Sequence, residues 1–145
     1  MPTHVLVDVA LPDEIVAMFS PGWQAEIWPS NPGALERALA AAEAIFIYGH
    51  PKVGGALMDM APRLKVISNF GVGVDHIDLA AARERGIPVG NTPNVLDGAT
   101  ADMTFALLLA SARNLVVGDR FARSPAFSHY DPKILLGREV HGATI

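Results

Sequence analysis

Apolar positions along this chain change period again and again. His4-Val-Leu-Val-Asp-Val9 is short, apolar and β-branched, and predicts a strand. Pro12 opens a short helix whose Ile15, Met18 and Phe19 keep the three-to-four spacing of one buried stripe. Trp23 to Trp28 reads as a second strand. Asn31-Pro32 is a helix start, because Asn caps free amides and Pro tolerates the first helical position. The alanine-rich helix that follows aligns Leu35, Leu39 and Ala42. Ala44-Ile-Phe-Ile-Tyr48 is almost wholly apolar, as expected of a strand covered on both faces. Val53, Leu57 and Met60 form a further helical stripe, stopped by Pro62. Leu64-Lys-Val-Ile-Ser68 is a fourth strand. Asp78 caps a helix from Leu79 to Arg85, Gly86 ends it, and Ile87-Pro-Val89 is a fifth strand. Strands alternating with helices over short connections predict an α/β fold, an open parallel sheet with helices on both faces.

The alternation stops after residue 90. Asn91-Thr-Pro-Asn-Val-Leu96 is a turn-rich connector. Asp97 is placed to cap one long helix from Gly98 to about Val117, with Phe105 to Ala110 apolar all round. Such a helix asks for burial on more than one side, by a second domain or a second subunit. Residues 118–137 read as a long irregular arm carrying Phe121, Phe127 and Tyr130, suited to covering a partner. Ala143-Thr-Ile145 reads as the opening of a strand, which predicts the beginning of a further domain.

Composition narrows the class. Half of the 145 residues are hydrophobic and 18% are charged, which excludes a disordered chain. Lys and Arg number 11 against 15 Asp and Glu, without a basic run, so neither nucleic acid nor an anionic membrane is an expected partner. Cysteine is absent, which removes disulfides, thiolate catalysis and thiolate metal sites and fits a reducing compartment. The first residues lack a basic start and an apolar core, and the longest uncharged apolar run, Met103 to Ala112, is half a membrane span. The expectation is a soluble cytoplasmic chain.

Candidate chemistry concentrates in Ser68-Asn-Phe-Gly-Val-Gly-Val-Asp-His-Ile-Asp78, between a strand and a helix. Ligands of open parallel sheets bind beyond the carboxyl ends of strands. Gly71 and Gly73 bring the backbone close to a ligand, and successive amides there suit a carboxylate or phosphate. Position 76 is His where a dinucleotide fingerprint needs a third small residue, so the turn reads as a small-anion site and not a nucleotide cradle. The same spacing also fits a tight turn without a ligand. Tyr48-Gly49-His50 follows the third strand at the same sheet edge, and Tyr48 could point its hydroxyl into a shared crevice or be a half-buried strand-end aromatic. His4, His50, His76, His129 and His141 show no metal-ligand spacing. His76, beside Asp75, reads as a helix-start or turn histidine. No nucleophile elbow or carboxylate pair stands out, so no catalytic residue and no metal ligand is assigned.

Three segments occur together and in order: Leu64-Lys-Val-Ile-Ser-Asn-Phe-Gly-Val-Gly-Val-Asp-His-Ile-Asp-Leu79, Arg85-Gly-Ile-Pro-Val-Gly-Asn-Thr-Pro93, and Asn94-Val-Leu-Asp-Gly-Ala-Thr-Ala-Asp-Met-Thr-Phe-Ala-Leu-Leu-Leu109. With these the chain strongly resembles the D-isomer-specific 2-hydroxyacid dehydrogenases, in particular their glyoxylate/hydroxypyruvate reductase and 2-ketogluconate reductase branch. The resemblance covers the whole chain and is most specific over residues 64–112. It implies a flavodoxin-like substrate domain over residues 1–95. Residues 96–145 would then hold the crossing helix, an arm and the first strand of a truncated Rossmann-type dinucleotide domain. It implies a substrate carboxylate held by the amides of Val72 and Gly73, a pocket lined by Tyr48 and Gly49, and Thr104 near the nicotinamide of NAD or NADP. The partners implied are a small 2-keto or 2-hydroxy acid and a second copy in a homodimer.

The family's Gly-x-Gly-x-x-Gly turn, catalytic arginine, histidine and glutamate have no counterpart here. The expected function is therefore the substrate-binding part of an NAD(P)-dependent reductase of glyoxylate or hydroxypyruvate, with the chain by itself inactive. The alternatives are a non-catalytic module that pairs with intact subunits and an independent small-anion receptor.

Overall fold

The computed structural model describes residues 3–144. The chain divides into two compact units, Met1–Val95 and Leu96–Ile145.

The first unit is built on one parallel sheet. Its strands are β1 (Thr3–Val7), β2 (Trp23–Ile27), β3 (Ala44–Ile47), β4 (Val66–Asn69) and β5 (Val89–Gly90), in the spatial order β2-β1-β3-β4-β5. That is the flavodoxin order, whose direction of winding switches between β1 and β3. The helices between the strands are α1 (Asp13–Val16), α2 (Pro32–Ala41), α3 (Gly55–Asp59) and α4 (Leu79–Glu84). The larger core packs Leu6, Ile45, Ile47 and Ile67 of the sheet against Ala38 and Leu39 of α2, Met58 of α3 and Ala81 and Ala82 of α4. On the opposite face Val5, Val7 and Ala44 pack against Leu11 and Phe19. Central strands buried on both faces explain why Val5 to Val7 of β1 and all of β3 read as apolar runs.

Local signals account for most of the helix ends. Asn31 accepts from the Ala34 amide at 3.1 Å, with Pro32 at the first position of α2. Asp78 accepts from the Ala81 amide at 2.9 Å at the start of α4. Gly86 ends that helix at φ +67°, a conformation that L side chains rarely adopt.

Three expectations are corrected in this unit. Helix α1 stops at Val16, so Met18 lies beyond it and is exposed, while Phe19 reaches the sheet from the following turn. Val53 precedes α3 and forms an isolated parallel bridge with Ile77, and Met58 is the residue α3 buries. The last strand is shifted toward the C-terminus, to Val89–Gly90, because Ile87 turns into the core and Pro88 lends only its carbonyl to Ile67.

The second unit contains α5 (Asp97–Ala112) and α6 (Leu115–Ala122). The single helix expected from Gly98 to Val117 is two helices bent by 59° at a break where Asn114 is left-handed at φ 54°. Asn is among the few residues that tolerate this region. Asp97 is the first residue of α5 rather than its cap, and Leu96 holds the cap position without a side-chain bond. Residues 118–122 belong to α6 and not to an irregular arm, and Phe121 packs edge-on against Phe127 at 5.8 Å. Neither helix has a buried residue, although burial was expected of α5: Met103, Phe105, Leu107 and Leu109 are exposed. The strand expected at Ala143-Thr-Ile145 is not formed by Ala143 and Thr144, and Ile145 lies outside the described residues. A strand needs a neighbour to satisfy its backbone, and the described residues of this unit contain none. No single helix among the described residues is long and apolar enough to cross a membrane.

Candidate site at the carboxyl edge of the sheet

Asp8, the Tyr48-Gly49-His50 segment and the glycine turn follow β1, β3 and β4, three neighbouring strands of one parallel sheet. Parallel strands deliver all three to the same edge, beside the switch point between β1 and β3.

The switch point is closed from below by a carboxylate. Asp8 accepts from the Tyr48 amide at 2.8 Å and from the Gly49 amide at 2.7 Å. A Cβ at position 49 would stand 2.7 Å from Asp8 Oδ2, so the close approach requires glycine. The Tyr48 and Gly49 amides of this segment are thereby committed inside the protein. What it presents outward is the Tyr48 ring, tilted against Phe70 with ring centroids 4.7 Å apart. Tyr48 and the glycine turn thus meet at one edge.

The turn itself is held by its carbonyls. Phe70 O accepts from Thr92 Oγ1 at 2.7 Å, Gly71 O from Asn69 Nδ2 at 2.7 Å, Val72 O from Asn91 Nδ2 at 2.8 Å and Gly73 O from Asn69 Nδ2 at 2.9 Å. Among the described residues, the amides of Gly71, Val72 and Gly73 donate to nothing. Four successive carbonyls are tied down and three successive N–H groups are left over. Backbone donors arranged in this way bind anions. The turn brings no cation of its own, and the exposed Asp75 side chain stands beside Gly73. Selectivity for an anion would rest on the amides.

Two groups invisible to local pattern reading build this site. One is Asp8, which acts on residues some forty positions away. Its signal was an acid interrupting an apolar run. The other is Asn69, only 2% exposed and, among the described residues, the one buried polar residue beside an apolar core. Its signal was a polar residue closing a buried strand just before Gly-x-Gly. Thr104 lies in the second unit, on α5, where its hydroxyl donates to Thr100 O at 2.7 Å. No group of His, Asp or Glu among the described residues could hold a metal ion.

Comparison with known proteins gives this architecture a family. The D-isomer specific 2-hydroxyacid dehydrogenase catalytic domain matches residues 5–143. A glyoxylate reductase of Thermococcus gammatolerans is 35% identical over all of this chain, which covers 46% of that enzyme. A crystal structure of a Thermus thermophilus protein superposes with a TM-score of 0.77 at 39% identity, over 95% of this chain and 46% of that one. An NADPH-dependent glyoxylate/hydroxypyruvate reductase of Sinorhizobium meliloti, crystallised with NADP and malonate, superposes with a TM-score of 0.74 at 27% identity, over 88% of this chain and 40% of that one. The chain thus spans about half the length of the relatives it matches. On the match over residues 5–143, the chain belongs to the D-isomer-specific 2-hydroxyacid dehydrogenase family.

Proposed function

We propose that residues 1–95 are the substrate domain of an NAD(P)-dependent oxidoreductase that reduces a small 2-keto acid, such as glyoxylate or hydroxypyruvate, to the D-2-hydroxy acid. The amides of Val72 and Gly73 hold the substrate carboxylate, and Tyr48 and Gly49 line the pocket. The observation that carries this reading is the glycine turn, whose carbonyls are all engaged while its amides stay free. A carboxylate seated there is fixed by donors that need no reorganisation, which orients the keto carbon. Gly49, with its amide on Asp8, contributes a wall and no donor.

The dinucleotide itself does not fit these residues. The 145 residues contain no Gly-x-Gly-x-x-Gly turn, and the five-stranded sheet has flavodoxin order. Thr104 is the one position that the resemblance turns toward the cofactor, and one hydroxyl already bonded to Thr100 is not a cradle. In our reading residues 96–145 link the substrate domain to a dinucleotide domain, and this chain alone does not transfer hydride.

Two measurements test this. NADH and NADPH absorbance is followed with glyoxylate and hydroxypyruvate, and the pure 145-residue chain should give no turnover. Amide NMR of the same chain is recorded during titration with malonate. Shifts led by Gly71, Val72 and Gly73 are expected. Turnover by the chain alone would refute its incompetence, and unmoved turn amides would refute the carboxylate seat.

A second reading has its own observation. The exposed apolar side chains of α5 suit a module that pairs with another copy of this chain or with an intact subunit, as in the homodimer that the resemblance implies.

A further inference from the structure

The carbonyls of Gly71 and Gly73 are both held by one side chain, and that side chain is itself held. Asn69 has two amide hydrogens, and the structure spends both, on Gly71 O at 2.7 Å and Gly73 O at 2.9 Å. This fixes which end of the amide is nitrogen. The remaining atom, Oδ1, can only accept. It lies 3.2 Å from Nε2 of His76, so that nitrogen carries the proton and donates. The network thus places a proton on Nε2, while Nδ1 is buried without a partner.

His76 is itself fixed from three directions. Its carbonyl accepts from the Val53 amide at 2.9 Å, next to the Val53–Ile77 bridge. Its ring meets that of His50 edge-to-face, with centroids 4.9 Å apart. Its Nε2 ends on Asn69. A continuous path therefore runs from the segment after β3, through His76 and Asn69, to the two carbonyls whose anchoring turns the free amides outward.

We infer that His76 is a positioning residue for the carboxylate seat, acting through Asn69 as a hydrogen-bond donor and not through charge or contact with the ligand. The inference rests on the carboxylate reading of the turn for its functional consequence, but not for its geometry. It gives a role to a histidine that reads, from sequence, as a helix-start or turn residue. Removing the donor leaves Asn69 Oδ1 buried and unpaired, so that only its two Nδ2 bonds still orient the amide. The Gly73 carbonyl then loses its fixed direction, while the Gly71 carbonyl keeps the Thr92 amide at 3.3 Å, and the amides between them shift.

The test uses the 145-residue chain with His76→Leu, which deletes the donor, and His76→Gln, whose side-chain amide can restore it. Thermal melts confirm that both variants fold. In ligand-free amide spectra, His76→Leu should displace Gly71, Val72 and Gly73, and His76→Gln should leave them near their wild-type positions. Malonate titration should then show about tenfold weaker binding in His76→Leu, the scale of one lost buried hydrogen bond, and nearly wild-type binding in His76→Gln. Unmoved turn amides in His76→Leu would overturn the inference, as would equal displacement in both variants, which would make the ring and not the donor responsible. Should the wild-type chain ignore malonate, the carboxylate seat fails while the ligand-free spectra still decide whether His76 positions the turn.

Discussion

Gly71 and Gly73 are not demanded by the packing of the chain. Neither is left-handed, a Cβ at 71 would meet only ordinary contacts, and a Cβ at 73 would meet the tip of the exposed Asp75 side chain at 3.3 Å. Without a Cβ, their backbone can approach a ligand closely. Gly73→Ala should therefore leave stability within about 0.5 kcal/mol of wild type, while weakening malonate binding. Differential scanning fluorimetry and an NMR titration separate the two effects. Gly49 is the opposite case. Gly49→Ala drives a Cβ onto Asp8, and Asp8→Ala strips the acceptor from two amides, so either change should cost about 1–3 kcal/mol in urea unfolding. Of the site itself, the glycine turn and its kinship with the Tyr48 segment were legible in sequence, because a turn and a strand end are local. Asp8 and Asn69 were not, because what makes each matter is a hydrogen bond fixed only once three strands stand side by side.

Among the elements, β3 and β4 are tied at their entry by Glu43. Its carboxylate takes Lys65 Nζ at 2.6 Å and Arg63 Nη2 at 3.0 Å. The hydrogen bond from Lys65, helped by the charges of Lys65 and Arg63, holds Glu43 below the usual carboxylate range against an opposing effect of burial. A carboxyl whose folded value is depressed stabilises the fold above its unfolded value and loses that stabilisation as pH falls through the folded one. Glu43→Gln should thus lower the melting temperature at neutral pH, and the gap to wild type should close as the solution is taken below the carboxylate range. A gap that persists in acid would assign the loss to packing. The helices carry their own signals: Asn31→Ala should cost about 1 kcal/mol, the usual size of a lost N-cap. Where caps and apolar runs agree, as in α2, α4 and β3, sequence and structure coincide to within a residue or two. They part where a tertiary contact overrides the period, at Phe19, Val53 and Ile87, or where one residue leaves the helical region, at Asn114 between α5 and α6.

At the scale of the molecule the two units differ in what holds them. The first buries aliphatic side chains on both faces of a five-stranded sheet. In the second, neither helix buries a residue. An isolated helix of about this length is marginal in water, and helical stability normally comes from packing an apolar face. Amide hydrogen exchange should therefore be slow in β3 and β4 and fast in α5 and α6, and a uniform rate across both units would contradict this division. The same reasoning bears on assembly. A helix that exposes Met103 and Leu107 on one side and Phe105 and Leu109 on the other presents large apolar side chains of the kind that mark an interaction site. If a second copy covers it, sedimentation velocity should show a dimer whose fraction falls on dilution, and exchange in α5 should slow as concentration rises. Leu107→Glu should abolish both effects without changing the melting of the sheet unit, since α5 contributes nothing to that core. A wild-type chain that stays monomeric at every concentration, with α5 exchanging at one constant rate, would show that this face does not pair with a second copy of the chain.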